Sequence, residues 1–250
     1  MTSRFDLTGR LAVVTGARRG IGAAVAEGLA EAGADVIGVS LTDDHDDVER
    51  AVRSRGRSFT GVACDLASRE ATLDLAGRLA DRPVDILVGN AGAFRRKPAL
   101  DQADEDWDDV LEVNLSSQFL LARALAPGMI ERGCGRLVFT ASMLSFQGGL
   151  NVVGYAAAKS GLAGMVRALS NEWSAAGITV NAVAPGYIET AVTDGLRADA
   201  TRSRQILERI PIGRWGVPTD VAGAVVFLAG DSAAYVTGAI LPVDGGWLGR

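Results

Sequence analysis

Leu11-Ala12-Val13-Val14-Thr15-Gly16-Ala17-Arg18-Arg19-Gly20-Ile21-Gly22 is the stretch whose reading decides the fold. Its first four residues form a continuous apolar run. Strands buried under helices on both faces read this way, because neither side of the strand meets water. The glycines follow at once, and residues 23–32 carry a helical pattern that Gly33 stops. A strand, a glycine-rich turn and a helix N-terminus together let backbone N–H groups approach a pyrophosphate, with the helix dipole favouring the anion. The spacing, Gly16-xxx-Gly20-x-Gly22, departs from the GxGxxG fingerprint, so its place between strand and helix carries the argument.

Outward from this unit the alternation continues. Strands are predicted over residues 36–39, 59–64, 86–88, 135–140, 178–183 and 240–243. Helices are predicted over 47–55 (ended by Gly56), 68–80, 107–132 with a break near Pro127, 155–175 and 218–229. Repeated strand–helix alternation implies right-handed crossovers and a parallel sheet. The expected fold is α/β, a single doubly wound (Rossmann) domain over residues 1–250, its mostly parallel sheet flanked by helices on both faces. Residues 186–214 are the least regular and read either as a mobile lid over the site or as a surface helical excursion.

The net charge of −5 argues against a nucleic-acid or membrane-surface role. No apolar run approaches the roughly 20 residues that span a bilayer, and the Met1 to Arg10 stretch lacks the apolar core of a leader. Only Cys64 and Cys134 occur, without CxxC spacing, so neither a disulfide framework nor a structural zinc site is expected, and a reducing cytoplasm fits. The single histidine, His45, sits among Asp43, Asp44, Asp46 and Asp47 and reads as a solvated loop or helix start. One histidine also argues against a Ser-His-Asp hydrolase.

The chemistry is carried by Ser142, Tyr155 and Lys159. Residues i and i+4 share a helix face, so Lys159 is placed to stabilise a phenolate on Tyr155. A free phenol has a pKa of about 10, and a neighbouring ammonium draws it toward neutrality. Ser142, at a neighbouring strand end, is placed to hydrogen-bond the same substrate oxygen. The set suits proton transfer at a carbonyl or alcohol oxygen and needs no metal. Arg95, Arg96 and Lys97 follow the fourth strand, where ligands bind in open α/β sheets. They read as a carboxylate site or as a solvated charge run, and Ser145 and Gln147 as partners for substrate hydroxyls or as loop caps. Val39-Ser40-Leu41-Thr42 ends the second strand without an acid for ribose hydroxyls, and Arg19 suits a 2′-phosphate. Both favour NADP over NAD, against the counterweight of Asp43 and Asp44.

With the glycine spacing, Asp65, Asn90-Ala91-Gly92, Asn114, Ser142, Tyr155-xxx-Lys159 and Pro185-Gly186 with Ile188 and Thr190, the chain resembles the short-chain dehydrogenase/reductase family over essentially its full length. The resemblance implies a dinucleotide held by Gly16, Arg18, Arg19, Gly20, Ile21 and Gly22, by Ser40 and Leu41, and by Asp65 and Leu66 at the adenine. Asn90, Ala91 and Gly92 would line the ribose side, and Pro185, Gly186, Ile188 and Thr190 would flank the nicotinamide. Lys159 would bind the nicotinamide ribose as well as tune Tyr155, and Asn114 would hold a water in a proton relay. Gly89 departs from the family, which usually has Asn before Asn-Ala-Gly as a brace for the sheet.

Within the family, residues 141–149, 209–216 and 243–250 resemble the sugar-acid dehydrogenases of the gluconate and 2-dehydro-3-deoxygluconate 5-dehydrogenase type. A carrier-protein-dependent 3-oxoacyl reductase is the rival with the same catalytic set. A non-catalytic dinucleotide-binding regulator is the rival of another class, and the presence of both Tyr155 and Lys159 argues against it. The resemblance also implies a cytoplasmic homotetramer, with the small-residue helix over 156–169 and the tail with Trp247 and Leu248 suited to packing against a partner.

Overall fold

Successive residues of the opening strand face opposite sides of a sheet, and each side is covered. In the computed structural model, which describes residues 4–250, Val13 packs into one apolar layer while Ala12 and Val14 pack into the other. The strands are β1 (Leu11–Thr15), β2 (Asp35–Ser40), β3 (Phe59–Ala63), β4 (Ile86–Gly89), β5 (Gly135–Thr140), β6 (Ile178–Pro185) and β7 (Ile240–Val243). All neighbours pair in parallel, in the order β3-β2-β1-β4-β5-β6-β7. The strand order reverses between β1 and β4, which opens a crevice at their C-terminal ends.

One face of the sheet is covered by α1 (Gly20–Glu31), α2 (Asp46–Ser54) and α9 (Pro218–Ala229), through Val25, Leu29, Val48, Val52, Val221 and Val225. The other is covered by α3 (Arg69–Ala80), α5 (Ser117–Arg132) and α6 (Val153–Trp173), through Leu75, Leu79, Leu121, Met129, Leu162 and Val166. The doubly wound α/β architecture expected from the alternation is the one observed. Of the Met1 to Arg10 stretch, residues 1–3 lie outside the described residues.

Three local expectations are corrected, and residues 186–214 prove helical, as one of their two readings has it. The long helix breaks not at Pro127, which sits inside α5, but between α4 (Asp104–Leu111) and α5, where Glu112–Ser116 forms a π-turn. The first helix begins at Gly20 rather than residue 23 and α6 at Val153 rather than 155, since short glycine and alanine side chains hide helical periodicity. Residues 186–214 contain two helices, α7 (Asp194–Ala198) and α8 (Ala200–Leu207), the latter capped by Asp199 accepting from Thr201 and Arg202 N–H at 3.0 Å. Ile206, Ile210 and Trp215 pack there with Met143 and Trp247 as a small separate core. His45 begins α2, as one reading held, but it is not solvated: only 3% exposed, it packs against Phe59.

Candidate active site

The glycine turn is tied to the end of β4 by Thr15. Its buried Oγ1 accepts from the backbone N–H groups of Asn90 and Ala91, both at 2.9 Å. Asn90 answers with Nδ2 donating to the Thr15 carbonyl at 3.0 Å, and Thr140 Oγ1 donates to Asn90 Oδ1 at 3.2 Å. The strands on either side of the crevice are thus locked at one level. Gly16 has φ +67°, a region that side chains disfavour. Gly22 has no room for a Cβ, which would meet the Gly16 carbonyl and Asn90 Nδ2. The turn therefore presents bare backbone at the N-terminus of α1, a cradle that fits a dinucleotide pyrophosphate.

Asn114 stands in the π-turn, a feature that often marks functional sites. A π-turn displaces the usual i→i−4 bonds and leaves carbonyls to be satisfied by side chains. Asn114 Nδ2 donates to the Val110 and Ala93 carbonyls, both at 2.8 Å, while Ser117 Oγ (2.8 Å) and Gln118 Nε2 (2.9 Å) donate to Val113. Asn114 Oδ1 is left buried without a partner among the described residues. A Cβ on Gly92 would lie 2.9 Å from it and 3.9 Å from Lys159 Nζ, so acceptor and ammonium face the same gap. A buried acceptor of this kind suits a bound water.

Tyr155 lies in the first turn of α6 and Lys159 one turn on, with Nζ 5.6 Å from the phenol ring centroid. Lys159 is 2% exposed and donates to the Thr140 carbonyl at 2.7 Å. Ser142 stands two residues past β5, its Oγ accepting from Leu144 N–H at 3.1 Å and meeting the Tyr155 hydroxyl. Burial pushes the Tyr155 phenol up to about 12, opposed by its hydrogen bond with Ser142. Burial also pulls the Lys159 ammonium down to about 7. Desolvation penalises both charged forms and outweighs the lowering of Tyr155 expected from Lys159.

These groups line one cleft of ≈ 600 Å³ together with Gly16, Arg19, Gly20, Ile21 and Gly22 on one wall. Asn90, Ala91 and Gly92 form its floor, and Pro185, Gly186, Ile188 and Thr190 its far side. The residues expected at the adenosine lie beyond this lining, after the ends of β2 and β3. Ser40 Oγ accepts from Arg18 N–H at 3.1 Å, and Leu41 is exposed. Asp65 is exposed and caps its own turn, accepting from Ala67 N–H at 2.9 Å. The Leu66 side chain is buried in the apolar layer.

The residues expected at the substrate fare unevenly. Arg95 is paired with Asp106 at 3.3 Å and Asp109 at 3.7 Å, and Lys97 with Asp106 at 2.6 Å, so α4 neutralises two of the three cations. Arg96 is exposed and has no side-chain partner among the described residues. Ser145 Oγ donates to the Lys159 carbonyl at 2.7 Å. Gln147 is half-buried with its side chain unpaired among the described residues.

Three contributors escaped the sequence reading. Phe94 packs edge-on against Tyr155 at 5.1 Å and lines the cleft. The Thr140 carbonyl holds Lys159. Gln118, 1% exposed, fills the space that Gly89 leaves empty. Only the last had a signal: a missing side chain in a buried strand requires another to fill its place.

Among the described residues there is no group of metal-ligating side chains, and no helix is long and apolar enough to cross a membrane. Residues 16–248 match the family described as Enoyl-(Acyl carrier protein) reductase. The chain is 53% identical to 2-dehydro-3-deoxy-D-gluconate 5-dehydrogenase of Pseudoalteromonas atlantica, covering all of both chains. It is 41% identical to the 3-oxoacyl-[acyl-carrier-protein] reductase of Salmonella typhimurium, over 97% of this chain and 98% of that one. Among solved structures, a putative NAD(P)-dependent gluconate 5-dehydrogenase from Beutenbergia cavernae with bound NADP superposes with a TM-score of 0.97 at 48% identity, over 99% of this chain and 100% of that one. With the Ser142, Tyr155 and Lys159 side chains gathered beside a glycine-turn cradle in a parallel sheet of this order, the chain belongs to the short-chain dehydrogenase/reductase family.

Proposed function

We propose that the chain is an NADP-dependent oxidoreductase interconverting a secondary alcohol and ketone at C5 of a sugar acid of the gluconate or 2-dehydro-3-deoxygluconate type. The observation that carries the reaction type is the opening of Tyr155, Ser142 and Lys159 into the same cleft as the glycine turn. Bound there, the nicotinamide supplies or accepts the hydride at the carbinol carbon. Tyr155 gives its proton to the carbonyl oxygen in reduction and takes it back in oxidation. Ser142 orients that oxygen and stabilises its developing charge. Lys159 stands beside the phenolate as it forms, and Asn114 Oδ1 holds a water through which the proton reaches solvent.

The substrate class is supported by the full-length identity to the sugar-acid enzyme, which exceeds that to the carrier-protein reductase. The net charge of −5 also disfavours docking an acidic carrier. With Arg95 and Lys97 neutralised, Arg96 is the cation left to meet a substrate carboxylate. NADP is favoured by the absence of an acid at the end of β2, by Arg19 on the cleft wall, and by the NADP bound in the related structure. We further infer one domain over the whole chain, working as a cytoplasmic homotetramer.

The test is a panel of sugar acids and their keto forms, with acetoacetyl thioester as control, each assayed with both cofactors in wild type and Tyr155→Phe. Turnover of a sugar acid with NADP, lost by about 10²–10⁴-fold in the variant with cofactor binding retained, is expected. Retained turnover in the variant would sink the acid–base assignment, and thioester preference would sink the substrate class.

A further inference from the structure

The adenosine end of the site holds a feature that the reaction does not use. In a βαβ dinucleotide site the adenosine ribose lies at the end of β2. Ser40 ends that strand, and its Oγ accepts from Arg18 N–H at 3.1 Å, so the Arg18 backbone is fixed over this point. The Arg18 guanidinium is not free. Its Nη1 donates to Asp44 Oδ2 at 3.1 Å across the turn that follows β2.

Asp44 is held in place from beneath. His45, the only histidine, is buried against Phe59, and its Nδ1–H donates to the Asp43 carbonyl at 3.1 Å. The acidic turn is therefore pinned by an apolar anchor rather than free to swing away. Arg19, one residue on, lines the cleft and has no side-chain partner among the described residues. A guanidinium already engaged and a carboxylate carried on an anchored turn thus stand together beyond the end of β2.

We infer that the Arg18–Asp44 ion pair is a selectivity latch for the adenosine 2′ position: Asp44 competes with a 2′-phosphate for Arg18 and so holds down the preference for NADP over NAD. A 2′-phosphate is close to a dianion at neutral pH and pairs bidentately with guanidinium. To do so it must take Arg18 from Asp44 and leave that carboxylate facing the phosphate. A 2′-hydroxyl makes no such demand, because Asp44 accepts from it while still paired with Arg18. The latch rests on the dinucleotide reading above, and its consequence is a smaller discrimination between the two cofactors than two adjacent arginines would otherwise give.

The test is equilibrium binding without turnover. Calorimetric titration with 2′,5′-ADP and with 5′-AMP, and fluorescence titration with NADPH and NADH, are run on wild type, Asp44→Asn, Arg18→Gln and the double variant. Asp44→Asn is expected to tighten 2′,5′-ADP and NADPH roughly three- to tenfold, the range for a partly exposed ion pair plus one removed repulsion. 5′-AMP and NADH should change less than twofold. Arg18→Gln should weaken only the 2′-phosphate ligands, and in that background the gain from Asp44→Asn should fall by at least half. The gain should also shrink with added salt, as for exposed charges. Equal effects on both ligand classes, or an undiminished gain in the Arg18→Gln background, would overturn the latch. Wild type that binds neither dinucleotide would instead overturn the cofactor reading and the latch with it.

Discussion

Restoring the asparagine that the family usually carries at position 89 should damage this protein. Gly89 ends β4 and pairs in register with Phe139 of β5. A Cβ there would overlap Gln118 Oε1 and lie 2.5 Å from Phe139 Cδ1. Phe139 is fully buried and Gln118 is 1% exposed, so neither has room to retreat. Gln118 is also held, its Nε2 donating to the Val113 carbonyl of the π-turn at 2.9 Å. Overpacking costs about 1–3 kcal/mol, and a buried amide without a partner about 1–3 kcal/mol more. Gly89→Asn should therefore lose about 2–6 kcal/mol, which for a chain of this size lowers Tm by roughly 4–24 °C. Thermal and urea unfolding of Gly89→Asn, Gln118→Ala and the double variant measure it. Gln118→Ala makes the space that an asparagine side chain needs there, so the pair should recover at least about 1 kcal/mol relative to additivity. A Gly89→Asn protein that melts with the wild type, or strict additivity in the double variant, would refute the idea that Gln118 replaces the missing side chain.

Lys159 gives a prediction in pH. Its folded value is about 7 against an ordinary 10.5, so between these the unfolded chain binds more protons than the native one. Stability from this group therefore rises with pH across that window, by up to about 1.4 kcal/mol per pH unit. In Lys159→Met that rise should vanish, which urea midpoints from pH 6.5 to 9 would detect, and an unchanged slope would count against a desolvated ammonium. Gly22→Ala forces a Cβ against the Gly16 carbonyl, and an overpacking cost of about 1–3 kcal/mol should weaken dinucleotide binding roughly tenfold or more in a fluorescence titration. Arg96→Ala should raise KM for a sugar acid about three- to tenfold without affecting a neutral ketone, as expected for an exposed charge pair. Arg95→Ala, already neutralised by Asp106 and Asp109, should change neither KM by more than about twofold, and the reverse pattern in steady-state kinetics would reassign the carboxylate to Arg95.

The fold was legible because its signals are local. Each buried strand announces itself by an apolar run, and the turn after β1 by glycines that no side chain can replace. The Tyr155–Lys159 spacing is likewise a property of one helix, readable without any partner element. Helix limits at Gly20 and Val153 were blurred because glycine and alanine carry no periodic signal. The break at Glu112–Ser116 was misplaced to Pro127 because a π-turn has no sequence signature, whereas proline has a strong one.

What the sequence determined by itself is the α/β architecture, the cradle and the residues proposed to transfer the proton, since strand runs, turn glycines and i,i+4 spacing depend on neighbours along the chain. Tertiary structure alone decided the burial and the pairing of those residues. Desolvation raises Tyr155 and lowers Lys159, α4 neutralises Arg95, Asp44 engages Arg18, and Gln118 fills the place of a side chain at position 89. Each of these depends on which distant segment lies within a few ångströms, because burial and ion pairing are set by spatial neighbours and not by order along the chain.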